Sequence, residues 1–232
     1  MLIGLYTSRV VLDSLGVNDY GIYNVVGGVV AMFTMISGAL SASISRFITF
    51  ELGKGDIGKL NVVFSSSVTI QIIMAFIFAL FAETIGLWFV NEKLVIEPSR
   101  MNAANWVYQY SIITFILNLI SVPYHAEIIA HEKMTAFAYI TIIEGIGKLL
   151  VAWIIVFTSN DKLILYSFLL LIIAMIIRVI YGIYCKKNFQ ECTYRFVYDK
   201  TLLKKMFDFA GWNMIGATST VCRVHGGNII IN

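Results

Sequence analysis

An all-α fold, a polytopic bundle of membrane-crossing helices, is the class this sequence predicts, on three observations. Six stretches are each long and apolar enough to cross a bilayer, which takes roughly 20 consecutive apolar residues. Of the 232 residues, 59% are hydrophobic and 13% charged, whereas soluble domains are about a quarter charged; the mean hydropathy is +0.81. Lysine and arginine also gather in alternate connections, the pattern of a chain threaded repeatedly through a membrane with its positive loops inside.

The elements follow in order. Residues 1–12 supply about half a span, a partial helix with no basic leader, so no cleavable signal peptide is expected. After a turn at Leu15–Tyr20, the first full span covers about 20–45. Its small residues Gly27, Ala31, Gly38, Ser41, Ala42 and Ser45 lie mostly on one side, where a neighbouring backbone can approach closely. The second span, about 61–89, is longer than a bilayer requires and so is tilted or partly interfacial, with Trp88 as an interfacial anchor. Further spans cover about 103–129, 134–158 and 163–184. A polar segment at 185–206 follows, with Phe189, Tyr194, Phe196 and Tyr198 interleaved with charge as in a stretch lying along headgroups. A last helix starts near Phe207 and runs over 207–232. Both ends look cut, and the chain reads as a fragment of a longer protein: a first lobe at 1–206 and the first helix of a truncated second lobe at 207–232.

Topology follows from charge. Arg46, Lys54 and Lys59, then Lys133 with His125 and His131, then Lys186, Lys187, Arg195, Lys200, Lys204 and Lys205 mark three alternate loops as cytoplasmic. On the other side Lys93, Arg100 and Lys162 are diluted by Glu92, Glu97 and Asp161. The formal charge of +3 therefore expresses topology, and no nucleic-acid partner is expected.

Glu144 and Lys148 carry the sharpest signal. They sit near the middle of the 134–158 span, spaced i, i+4 with Glu first, so they share a face and can pair. Ionisable groups at that depth must face other helices or water. Thr141, Gly145 and Ala152 lie on the same side. Two readings stand about even: the wall of a hydrated cavity, with Lys148 attracting an anion or Glu144 cycling a proton, or a self-neutralised pair that sets helix packing. The last span is polar, with Asn213, Thr218, Ser219, Thr220, Arg223, His225 and Asn228. Arg223 either contacts an anion in a cavity or snorkels to the outer interface. Arg46, Arg178 and Arg9 sit at helix ends, where anchoring competes with a cavity role.

Other chemistry is not signalled. Cys185, Cys192 and Cys222 are odd in number and form no C-x-x-C, so neither a disulfide framework nor a zinc site is expected. His125 and His131, with Glu127 and Glu132, raise the question of metal, but histidines six apart do not share a helix face as an i, i+4 pair does. Metal site, cofactor and catalytic residues are all expected to be none, since no nucleophile–base arrangement, Walker loop or H-E-x-x-H occurs; the chain does not read as an enzyme.

Four stretches carry a family resemblance: Ser8–Asn24, Ser45–Asp56, Pro123–Met134 and Phe209–Ala217, with the turn Leu15-Gly-x-x-x-Tyr-Gly-Ile-Tyr23 the most telling. Together they resemble the bacterial polysaccharide flippases, the O-antigen translocases of lipopolysaccharide biosynthesis. These belong to the multidrug/oligosaccharidyl-lipid/polysaccharide exporter (MATE-like) superfamily. The resemblance extends over essentially the whole chain. It implies two six-helix lobes around a central cavity, of which this chain supplies a MATE-like first lobe and the start of the second. It also implies multi-pass residence in the bacterial inner (cytoplasmic) membrane. The implied activity is translocation of undecaprenyl-diphosphate-linked oligosaccharide by alternating access. Lys148 and Arg223 are then the cavity cations, Arg9 and Arg46 less securely so, and Glu144 is the ion-coupling candidate. The implied partners are the lipid-linked oligosaccharide and membrane lipid, with glycosyltransferases or a polysaccharide polymerase beside them. Two rivals stand: a cation-coupled multidrug exporter of the same fold, and a membrane assembly component that transports nothing.

Overall fold

The computed structural model describes residues 2–31, 34–94, 96–158 and 161–194, and the single positions 204, 206, 208 and 212. Among the described residues there are helices and no strands. In chain order they are α1 (Leu2–Ala31), α2 (Thr34–Lys54), α3 (Ile57–Phe81), α4 (Leu87–Glu92), α5 (Met101–Ala130), α6 (Met134–Val156) and α7 (Lys162–Asn188). The helix expected over 207–232 lies outside the described residues, positions 208 and 212 apart.

Local chemistry sets most boundaries. The turn expected at Leu15–Tyr20 is a break inside α1, made by Gly16 at φ 78°, ψ 168°. That region of backbone space is essentially glycine's alone. The stretch expected as one span over 20–45 falls across the second half of α1 and the first half of α2. Gly55, at φ +74°, closes α2 by donating its amide to the Leu52 carbonyl at 3.1 Å. Asp56 then caps α3, accepting the Lys59 amide at 3.0 Å. Asp161 caps α7 in the same way, accepting from Leu163 N–H at 3.2 Å.

A single π-helical turn at Ala82–Gly86 carries α3 into α4. The result is one apolar rod of 36 residues, Ile57–Glu92. At 1.5 Å per residue it is about 54 Å long, well beyond the roughly 30 Å of hydrocarbon. In a π turn the ladder runs i→i+5, and Ala82 O accepts the Leu87 amide in that pattern. Here Tyr108 of α5 donates its hydroxyl to Ala82 O at 2.8 Å. Gly86 makes room for that ring: a Cβ at 86 would lie 1.9 Å from the Tyr108 hydroxyl oxygen.

α5 is the centre of the bundle, packing on α7 most extensively and also on α1, α2, α3 and α6. Its inward residues Val107, Tyr108, Ile112, Phe115 and Leu119 meet Val26 and Val30 of α1 and Phe78 of α3. A second core joins Ile44 and Ile48 of α2 to Leu60 and Val63 of α3, with Met206. A third joins Phe64 of α3, Ile128 of α5, Ile140 of α6 and Tyr181 of α7. α6 and α7 approach closely at Gly147, where a Cβ would lie 2.9 Å from Ile173 Cδ1.

The outside is as apolar as the inside. α3 exposes Ile72, Ile73, Phe76, Ile77 and Leu80; α6 exposes Ile142, Ile143, Ile146, Leu150 and Trp153; α7 exposes Met175, Ile176, Val179 and Ile183. Water would penalise such a surface, whereas acyl chains would not. Four helices, Ile57–Glu92, Met101–Ala130, Met134–Val156 and Lys162–Asn188, are long and apolar enough to span. The chain is a membrane protein built as an α-helical bundle.

Candidate functional site: a polar cavity between α1, α6 and α7

Glu144 and Lys148 face a cavity, not one another alone. Lys148 Nζ lies 2.6 Å from Glu144 Oε1, and the lysine side chain is half exposed (50%). An ammonium has three donors, so one contact with Glu144 leaves others to offer. Lys148 lines a cavity of about 590 Å³ together with Thr7, Tyr20, Tyr23 and Asn24 of α1, Thr141 of α6 and Tyr166 of α7. A smaller adjoining cavity of about 150 Å³ contains Glu144 and Lys148 with Thr114 and Asn118 of α5. Tyr23 lines both, and its ring meets that of Tyr166 edge-on at 4.9 Å.

The backbone presents these groups in a regular way. Thr141, Ser8 and Asn24 each donate to a carbonyl four residues earlier, at 2.9 Å in every case. Thr141 also meets the Tyr181 hydroxyl, while Ser8 and Asn24 keep further acceptor or donor capacity. Hydroxyls, amides, aromatic rings and one ammonium suit a polar, multiply hydroxylated guest with negative charge.

Of the other expected cations, Arg9 on α1 and Arg46 on α2 are exposed, and neither lines these two cavities. Arg223 lies outside the described residues. Arg178, expected at a helix end, lies within α7, which continues to Asn188, and rests over the Tyr124 ring at 4.1 Å in a cation–π contact. Tyr20, Tyr23 and Asn24 belong to the stretch that carries the family resemblance, but nothing in their spacing announces a cavity. Tyr166 has no sequence signal at all.

The two ends of the bundle hold charged clusters. At one, Arg100 forks onto Asp19 through Nη2 and through Nε at 3.0 Å, and reaches Asp161 with Nη1 at 2.8 Å. Asp19, hydrogen-bonded to Arg100, holds the guanidinium charge more firmly still, against some opposition from burial. The three connections with the fewest net positive charges therefore meet at one end. At the other end, His131, the C-cap of α5, sits 2.5 Å from Glu191 and 3.7 Å from Glu127. His131 also stacks on Phe189 at 4.2 Å, and Asn61 of α3 donates to the carbonyls of Glu191 and Thr193 at 2.7 and 2.8 Å. Burial opposes ionisation of Glu191, but hydrogen bonds from its own amide and from His131 outweigh it and hold the carboxyl below its ordinary range. This cluster is absent from any local pattern: Glu191 is 60 residues from His131.

A family model described as polysaccharide biosynthesis protein matches residues 1–223. No curated protein and no solved structure matches the chain.

Proposed function

We propose, from the premise that this chain belongs to the polysaccharide biosynthesis protein family, that it moves undecaprenyl-diphosphate-linked oligosaccharide across the bacterial inner membrane. The observation that carries the reading is Lys148, half exposed and 2.6 Å from Glu144, on the wall of a hydroxyl- and tyrosine-lined cavity inside an apolar bundle. In this reading the chain forms the first lobe, residues 1–206, and the start of a second at 207–232. Lys148 attracts the diphosphate, and Arg223 supplies a second cation from the facing lobe. Tyr20, Tyr23, Asn24, Thr141 and Tyr166 replace water around the sugar hydroxyls. The polyprenyl tail stays in lipid, and the lobes rock about the site to expose it to one side and then the other.

Glu144 is the coupling group. While ionised it holds one donor of Lys148. Protonation of Glu144 releases that donor and so changes how Lys148 can engage phosphate, which links the proton to the cargo. Glycosyltransferases or a polymerase would feed and drain the cycle as neighbours in the membrane. No bond is made or broken, and no enzymatic step enters.

The test is translocation of a fluorescent undecaprenyl-diphosphate oligosaccharide in proteoliposomes. A charge-assisted hydrogen bond is worth about 1.5–3 kcal/mol, so Lys148→Ala and Arg223→Ala are each expected to slow transport about tenfold or more. Glu144→Gln should abolish dependence on the proton gradient. Unchanged rates in Lys148→Ala would remove it from the mechanism. Drug efflux in place of glycolipid transport would favour the multidrug exporter, and normal glycan export without any transport by this protein would favour the assembly component.

A further inference from the structure

We propose that Glu127, His131 and Glu191 form a binding site for one divalent transition-metal ion of the zinc type, clipping the end of α5 to the segment that follows α7. One ligand atom from each of the three residues lies within 4.8 Å of the others. Glu127 and His131 are one helical turn apart, so the end of α5 supplies two ligands from a single face. Glu191 comes from just beyond the end of α7 and closes the third side.

A second observation points independently to a ligand. Glu127 is fully buried, and apart from a proton it can share with its acidic neighbour Glu191, neither of its carboxyl oxygens has a hydrogen-bond partner among the described residues. A carboxylate withdrawn from water and left without donors is costly. The basic atom facing it, His131 Nε2, stands at 3.7 Å, beyond hydrogen-bonding range. A dication between the three groups would satisfy both carboxylates at once and would match their summed charge when the imidazole is neutral. Two carboxylates and one imidazole are hard-to-borderline ligands. They suit Zn²⁺, Mn²⁺ or Fe²⁺, with water completing the shell, better than they suit Ca²⁺.

The surroundings fit a structural ion. His131 is partly exposed, giving an entry path from water at the end of the bundle. Its ring orientation is held by the stack on Phe189. Glu191 is held by Asn61, which binds its carbonyl from α3. The ion would therefore tie α3, α5 and the segment after α7 at one point, where that segment leaves the bundle. The site is separate from the cavity at Lys148 and does not depend on the transport reading.

The test uses the purified full chain in detergent, stripped with chelator and titrated with ZnCl₂ by calorimetry. One Zn²⁺ per chain is expected, together with a rise in thermal unfolding temperature that chelator reverses. Loss of an outer-shell partner already weakens metal sites 10–100-fold, so Glu191→Gln and His131→Asn should each weaken binding by more than about 100-fold and abolish the thermal shift. Binding that persists in both folded variants would overturn the proposal, as would absence of Zn²⁺ and Mn²⁺ binding by the folded wild-type protein. That last result would leave Glu127 and Glu191 as a proton-sharing acid pair. A readout on the wild-type chain covers the case in which the variants fail to fold. Co²⁺ bound at this site should show weak visible bands of nitrogen–oxygen ligation. A sulfur-to-cobalt charge-transfer band would assign the ion to Cys185 and Cys192 and sink the proposal.

Discussion

Replacing Gly86 by Ala puts a methyl group where the structure has a phenol. The built Cβ would lie 1.9 Å from the Tyr108 hydroxyl oxygen and 3.1 Å from Cζ, so the ring must move. Tyr108 is almost fully buried, at 1% exposure, and has little room to yield. Displacing it breaks the 2.8 Å hydrogen bond to Ala82 O; that carbonyl still accepts the Leu87 amide, but the buried Tyr108 hydroxyl loses its acceptor, at about 1–3 kcal/mol. Forcing an extra methyl into a packed site costs typically about another 1–3 kcal/mol. The expected loss is therefore about 2–6 kcal/mol, and at roughly 2–4 °C per kcal/mol for a chain of this size the unfolding temperature should fall by at least about 4 °C. The assay is thermal unfolding of the purified protein in detergent, run as a double-mutant cycle with Tyr108→Phe. The Tyr108→Phe exchange removes the oxygen that the new methyl would strike and keeps the ring. Gly86→Ala should then cost markedly less when combined with Tyr108→Phe than it does in the wild type. Equal costs on both backgrounds, or no cost on either, would refute the argument that Gly86 exists to admit this hydroxyl.

Two further outcomes follow from the backbone. Gly16→Ala meets no atom within 4 Å but must hold φ +78°, so it should destabilise by about 1–3 kcal/mol from conformation alone, whereas Gly21→Ala, equally unobstructed but inside a helix, should be neutral or slightly stabilising; equal effects at the two sites in thermal unfolding would refute the distinction. Asp56 is held below its usual carboxylate range by the amide and ammonium of Lys59; because its folded value is the depressed one, its stabilisation of α3 is fully present above the ordinary value of 3.8 and is lost as pH falls through the lower folded value. Acid titration followed by circular dichroism should show that step in the wild type and not in Asp56→Asn, which caps without titrating; an identical step in both would assign it to another group.

The sequence is most legible where one local rule dominates. Long apolar runs need only their own length and composition to be read. The stretches expected as spans over 61–89, 103–129, 134–158 and 163–184 correspond to the rod Ile57–Glu92 and to α5, α6 and α7. Glu144 and Lys148 meet because i, i+4 spacing on a helix leaves them little choice. Less legible was how a run is interrupted. The turn at Leu15–Tyr20 was legible and is the Gly16 break in α1, but nothing local announces that Ala82–Gly86 winds as a π turn inside an unbroken apolar run, because its partner is Tyr108, on another helix.

By itself, then, the order of residues determined a membrane-crossing helical bundle, the sign of charge on its connecting loops, and the acid–amine pair at the middle of α6, since each depends on composition or on contacts within about one helical turn. Which walls surround that pair, and that Glu127 and His131 find Glu191 beyond α7, was decided only by the packing of α5 against α7 and of α1 against α6. Those encounters join residues far apart along the chain, and no periodicity of 3.6 reaches across such a distance.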